Sequence, residues 1–125
     1  MSSLSLLGKY DEDMVVTEMW RPLPTTEPPV LCYHMVEFVC KEFAREGKID
    51  VVCLRLGELV WDGEETGDVS SSSLYGDDVV QAVEKALTAE VSSWDIFHVQ
   101  SAVPNTRYLT NVVQRKLGFE PRTRG

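Results

Sequence analysis

Redox, metal and nucleophilic chemistry each require particular residue types at particular spacings. A dinucleotide site needs a glycine-rich turn that lets backbone N–H groups approach a pyrophosphate at a helix N-terminus. The eight glycines here are scattered, and neither GxGxxG nor GxxxxGK[ST] occurs. His34 and His98 stand far apart, with no HExxH or CxxC spacing to aim several ligands at one metal. Glu64, Glu65 and Asp68 form an acidic stretch of the kind that stays solvated. No GxSxG is present, and Cys32, Cys40 and Cys53 have no recognisable catalytic neighbours. The residues themselves therefore assign no cofactor and no metal, and Trp20, Trp61 and Trp94 are expected to be packing residues.

Bulk properties narrow the classes further. A chain of 125 residues, 43% of them hydrophobic, is expected to form one domain with a real core. The net charge of −8 repels phosphate backbones and anionic lipid, so neither nucleic acid nor membrane is an expected partner. No apolar run approaches the ~18 residues of a membrane span. The acidic opening, with Asp11, Glu12 and Asp13, is unlike a secretory signal. Three cysteines without tight spacing suit a reducing compartment, and the cytoplasm is the expected location.

The elements that must position any site follow from periodicity. Four prolines between positions 22 and 29 exclude a regular element there. Residues 30–46 read as a helix whose buried stripe would be Cys32, Val36, Val39, Cys40 and Phe43, with Gly47 as its stop and His34 on a polar face. The run Val51–Leu54 reads as a strand covered on both faces. Residues 62–76, with four serines, read as a flexible loop. A second helix opens at Asp77 or Asp78, with Val79, Val80, Val83, Ala86 and Leu87 on one face. WDIFHVQS is a second strand, and a third helix starts near Pro104–Thr106, buries Leu109, Val112, Val113 and Leu117, and ends at Gly118. Residues 1–7 are a short third strand. The order is that of an α/β layer with parallel crossovers, around an unusually narrow sheet.

Several segments, in order, resemble the later half of the extended short-chain dehydrogenase/reductases, the NAD-dependent epimerase/dehydratase family. SSLSLLG at the start resembles that family's SSxSVYG; TEMWRPLP at 17–24 resembles TExxPxxP. EFVCKEFAREGKIDVVCLRLG at 37–57 is similar to GEExCRxFAxxxGIxVVxLRxG. DDVVQAVEKAL at 77–87 and the closing strand, helix and LGFEP resemble DVAxAIxxAL and LGYxP. The resemblance implies a partial Rossmann-like parallel sheet flanked by helices. It also accounts for the narrow sheet, because in the family the glycine loop and the dinucleotide-binding strands lie before these segments.

The resemblance also implies site residues. The family's active-site Ser/Thr matches Ser3, with Ser5 beside it. Its YxxxK pair, a tyrosinate base and a lysine that lowers the tyrosine pKa, falls on Pro29 and Tyr33 when aligned through Glu37. Taking Tyr33 as the tyrosine instead places Glu37 at the lysine position, where a carboxylate raises rather than lowers a tyrosine pKa. The pair fails in both registers. Ser3 and Tyr33 are the catalytic candidates; Ser5, Arg55 and Glu58 are the substrate-facing ones, Glu58 standing where the family has an asparagine. NAD(P) is implied for the full-length family, whereas this chain alone is expected to bind no cofactor and to be inactive. Its expected partners are a chain supplying the other half or a second copy docked through helix 30–46. An interaction module on a relic fold is the alternative, and an unrelated small α/β binding protein is a further one.

Overall fold

The computed structural model describes residues 1–11, 13–61 and 70–121. Three parallel strands form its main sheet in the order β1 (Ser2–Ser3), β2 (Val51–Leu56), β5 (Trp94–Val99). Ser2 pairs with Arg55, and the β2–β5 ladder runs in register from Val51–Trp94 to Leu56–Val99. A second, two-stranded parallel sheet joins β3 (Glu58–Val60) to β4 (Ser73–Tyr75). Helix α1 (Pro28–Arg45) covers one face of the main sheet; α2 (Gly76–Thr88) and α3 (Asn111–Leu117) pack on the other.

Alternation along the strands decides which face is oily. Leu54, Leu56, Phe97 and Val99 point to the α2/α3 side and form the core with Leu74, Ala82, Val113, Leu117 and Phe119. The side chains of Arg55 and His98, of the opposite parity, lie on the α1 side, where Ser2 also meets α1. A smaller cluster of Leu4, Leu7, Val16 and Tyr108 closes the carboxyl ends of the strands, with Tyr10 and Trp20 packed edge to face at its rim.

Polarity on the α1 side overturns the expected stripe of that helix. The residues turned inward are Val30, Glu37 and Ala44, while Cys32, Val36, Val39 and Phe43 are exposed and Cys40 is half-buried. Glu37 faces the sheet because Arg55 waits there; the apolar residues are left pointing outward. His34, expected on a polar face, is half-buried. The helix also starts two residues earlier than expected, since proline fits the first turn, where its missing N–H has no partner to lose.

Other boundaries shift for local reasons. Residues 1–7 supply a strand only at Ser2–Ser3; Leu4–Leu7 wind into a 3₁₀ turn capped by the Ser3 hydroxyl, which accepts the Ser5 N–H at 3.1 Å. Of the expected 62–76 loop, 62–69 lie outside the described residues, but Ser73–Tyr75 is strand β4 and Gly76 opens α2. The Tyr75 N–H donates to the Ser101 hydroxyl (2.9 Å), which in turn donates to the buried Asp78 carboxylate, tying β4 and α2 to the end of β5. Val79, Val83 and Ala86 pack on the core, whereas Val80 and Leu87 are exposed. Helix α3 begins only at Asn111, because Asn105 takes a left-handed turn (φ 57°) and Tyr108 bridges to Val16 first. Gly118, at φ 75°, ends it as expected.

Candidate functional site

A cleft of about 340 Å³ opens at the carboxyl ends of β1 and β2, where open α/β sheets commonly hold ligands. Ser3 and Ser5 enter it from the end of β1 and its 3₁₀ turn. Leu56, Gly57 and Glu58 enter from the end of β2, and Ser72, Arg107 and Tyr108 from two following loops. Three of the sequence-predicted residues, Ser3, Ser5 and Glu58, thus line one cavity.

Its framework is stitched by Gln100. The fully buried amide donates to the Ser71 carbonyl (2.9 Å) and accepts the Tyr108 N–H (2.9 Å), so both loops are fixed to the end of β5. The Arg107 backbone repeats the link, donating to Ser71 at 3.0 Å and accepting from Val16 at 2.8 Å. Gly57 permits the closest approach: a Cβ built there would lie 2.3 Å from the Ser72 carbonyl oxygen.

Arg107 is the cation of the cleft, and its type and spacing did not single it out. Its Nη2 donates to the Gly8 carbonyl at 3.4 Å and, more closely, to that of Tyr10. Nε is buried with no hydrogen-bond partner among the described residues, and the guanidinium lies 5.3 Å from the Tyr108 ring. Burial pushes the Tyr108 phenol above its ordinary pKa of 10, against the smaller lowering from Arg107, so it stays protonated and can donate. A cation, a phenol and three serines can hold an anion rich in hydroxyls. None of them is a base at neutral pH.

Tyr33 and Arg55 are elsewhere. Tyr33 is on the outward surface of α1. Arg55, expected to face substrate, is locked in a buried ion pair: Nε donates to Glu37 Oε2 at 2.9 Å and Nη2 to Oε1 at 2.8 Å. The Ser2 hydroxyl donates to the same carboxylate. Burial raises the Glu37 pKa, but the bonds from Arg55 and Ser2 and the charge of Arg55 outweigh it, and the net shift is downward. Arg55 Nη1 faces His98 Nε2 at 3.2 Å; an arginine can only donate, so the neutral imidazole carries its proton on Nδ1. Burial, with help from the Arg55 charge, holds His98 down to about pKa 3. Burial and the Glu37 charge push the Cys53 thiol up to about 12, which makes it inert rather than nucleophilic.

The described residues do not fit a dinucleotide pyrophosphate. Helix α1 opens on Pro28 and Pro29, which remove two N–H donors, and α2 carries Asp77 and Asp78 in its first turn, where acidic side chains disfavour phosphate. Helix α3 is only seven residues long. Among the described residues no three His, Cys, Asp or Glu side chains are grouped to hold a metal, and no helix is long and apolar enough to cross a membrane. The Glu64–Glu65–Asp68 stretch lies outside the described residues.

No family model matches the chain, and no curated protein matches it in sequence. Solved structures do. A glucuronic acid dehydrogenase from Chromohalobacter salexigens superimposes with a TM-score of 0.80 at 16% identity. A uronate dehydrogenase from Agrobacterium tumefaciens gives 0.80 at 15% identity, and a mutant of it complexed with NAD gives 0.81 at 16%. Each match covers 97% of this chain but 44% of the dehydrogenase, so the chain spans less than half their length. At this identity the likeness establishes the fold, a Rossmann-like set of parallel strands flanked by helices, shared with one part of these enzymes.

Proposed function

We propose that this chain is the substrate-side portion of an NAD-dependent dehydrogenase fold and that its cleft receives a small polyhydroxylated carboxylate of the uronate class. The observation that carries the reading is the convergence of Ser3, Ser5, Ser72 and Arg107 at the carboxyl ends of two parallel strands. Arginine suits a carboxylate, and the serines suit sugar hydroxyls. The names of the similar structures point to the same substrate class. Hydride transfer would need NAD; among the described residues no phosphate-binding turn accompanies the cleft, and Glu58 is the one carboxylate in its lining. On this reading the described residues supply a binding cleft, and turnover depends on a dinucleotide-binding half like the rest of those dehydrogenases. Three free thiols suit a reducing compartment, and on that ground we assign the protein to the cytoplasm.

Isothermal titration with D-glucuronate and with D-glucose, each with and without NAD⁺, tests this. Saturable binding of glucuronate alone, weakened about tenfold or more by Arg107→Gln and indifferent to NAD⁺, is expected. Equal binding of glucose, or no binding of glucuronate, would overturn it.

A second reading has its own support. Helix α1 presents Leu31, Met35, Val36, Phe38, Val39 and Phe43 to solvent, with Phe38 64% and Met35 58% exposed. Such a contiguous apolar face suits an interaction module, with a second copy as the simplest partner. Sedimentation of the wild type against Val39→Glu separates the readings, because dimerisation without glucuronate binding would favour the module.

A further inference from the structure

A second cleft, of about 410 Å³, shares no residue with the first. It runs between α1, the exposed edge of β5 and the 17–22 loop. Trp20, Phe38, Trp94 and Ile96 supply apolar lining. The Glu37–Arg55 pair lies at its base, where the two charges cancel and the polar atoms are occupied.

The charges at the rim do not cancel in the same way. Glu18 is tied to the protein, its Oε2 accepting the His98 N–H at 3.1 Å. Lys41 and Arg21 form no ion pair with any described residue; the Lys41 ammonium instead lies 5.9 Å from the centre of the Trp94 ring. Two unpaired cations thus outnumber one engaged carboxylate, in a molecule whose net charge is −8. One cation over an aromatic wall and a second beside it, in an otherwise acidic protein, form a local attractor for an anion with an apolar body. The volume suits a ligand of one or two rings.

From this juxtaposition we infer that the second cleft binds a planar aromatic monocarboxylate, its ring system against Trp20, Phe38 and Trp94 and its carboxylate at Lys41 and Arg21. A dianion is disfavoured by Glu18. A neutral ring system lacks the rim contribution.

The tryptophans provide the test. Trp20 and Trp94 line the cleft, and Trp61 lies outside it, so the three indole N–H resonances of the ¹⁵N-labelled full chain separate this cleft from general adsorption. Titration with 1-naphthoate should shift the Trp20 and Trp94 resonances saturably and leave Trp61 in place. 1-Naphthalenemethanol, the uncharged analogue, should bind about tenfold more weakly. Lys41→Glu should weaken 1-naphthoate by about tenfold, and the milder Lys41→Gln should weaken it by a smaller factor should Lys41→Glu fail to fold. Equal affinity for the uncharged analogue, a matching shift at Trp61, an unchanged affinity in the Lys41 variants, or no shift at all would overturn the inference.

Discussion

Replacing Arg55 by methionine keeps most of the volume and removes the charge, leaving the Glu37 carboxylate buried with the Ser2 hydroxyl and the Cys53 thiol as its remaining donors. Both side chains of the pair are nearly sealed, at 5% and 10% exposure, so little water reaches the stranded carboxylate. Breaking a buried pair by removing one partner costs about 3–5 kcal/mol. A domain of this size is stable by about 5–15 kcal/mol in all, so Arg55→Met should remove a large part of that stability. Urea unfolding of the full chain at pH 7, followed by tryptophan fluorescence, reads the loss directly. Glu37→Leu combined with Arg55→Met removes both charges and should recover most of the deficit, since hydrophobic replacement of a whole buried pair is often neutral. At pH 4 the single variant should also recover in part, because protonation discharges the stranded carboxylate. A loss below about 1 kcal/mol in the single variant, or a double variant no more stable than the single, would refute the argument.

Two further outcomes follow from the geometry. His98 is held down from 6.5 to about 3, so the unfolded chain takes up its proton first as the pH falls, and stability should decline from about pH 6.5 downward. Glu37, held below its ordinary 4.5, adds a second decline below that pH; a urea midpoint flat between pH 7 and pH 4.5 would contradict the first, and no added loss below pH 4.5 would contradict the second. Gly57→Ala places a methyl group 2.3 Å from the Ser72 carbonyl and should cost about 2 kcal/mol or more while weakening glucuronate binding; a neutral substitution would mean that β2 and the 70–72 segment are not held together as described.

How much of this was legible depended on whether a pattern carried its own answer. The β-branched apolar run at Val51–Leu54 reads as a covered strand and WDIFHVQS as a second strand, and Gly118 marks a helix end by its conformational freedom. The stripe of α1 was legible as a helix but not as a facing. Periodicity says which residues share a side; it cannot say that the sheet beneath carries Arg55 and will draw Glu37 inward. Strand β4 was hidden because Ser70–Ser73 has the composition of a linker, and its pairing with Glu58–Val60 is a long-range fact. In the cleft, Ser3, Ser5 and Glu58 were found through a resemblance. Arg107 was missed, although the Pro104–Asn105 turn after a predicted strand marks a loop at the carboxyl end of the sheet, where a cation bears on binding.

The inverted facing of α1 has a consequence for how molecules of this chain behave toward one another. Each copy carries a charge of −8, a mutual repulsion that at low ionic strength opposes any meeting of the outward-facing apolar residues of α1 with their counterparts. Salt shortens the reach of the repulsion to about 8 Å at physiological strength, while the attraction between oily surfaces is untouched. Approaching the isoelectric point near pH 4.7 discharges the same barrier from the other direction. The expected outcome is a clear solution in dilute neutral buffer that gives way to association as salt is added or the pH falls toward that point, which light scattering reads.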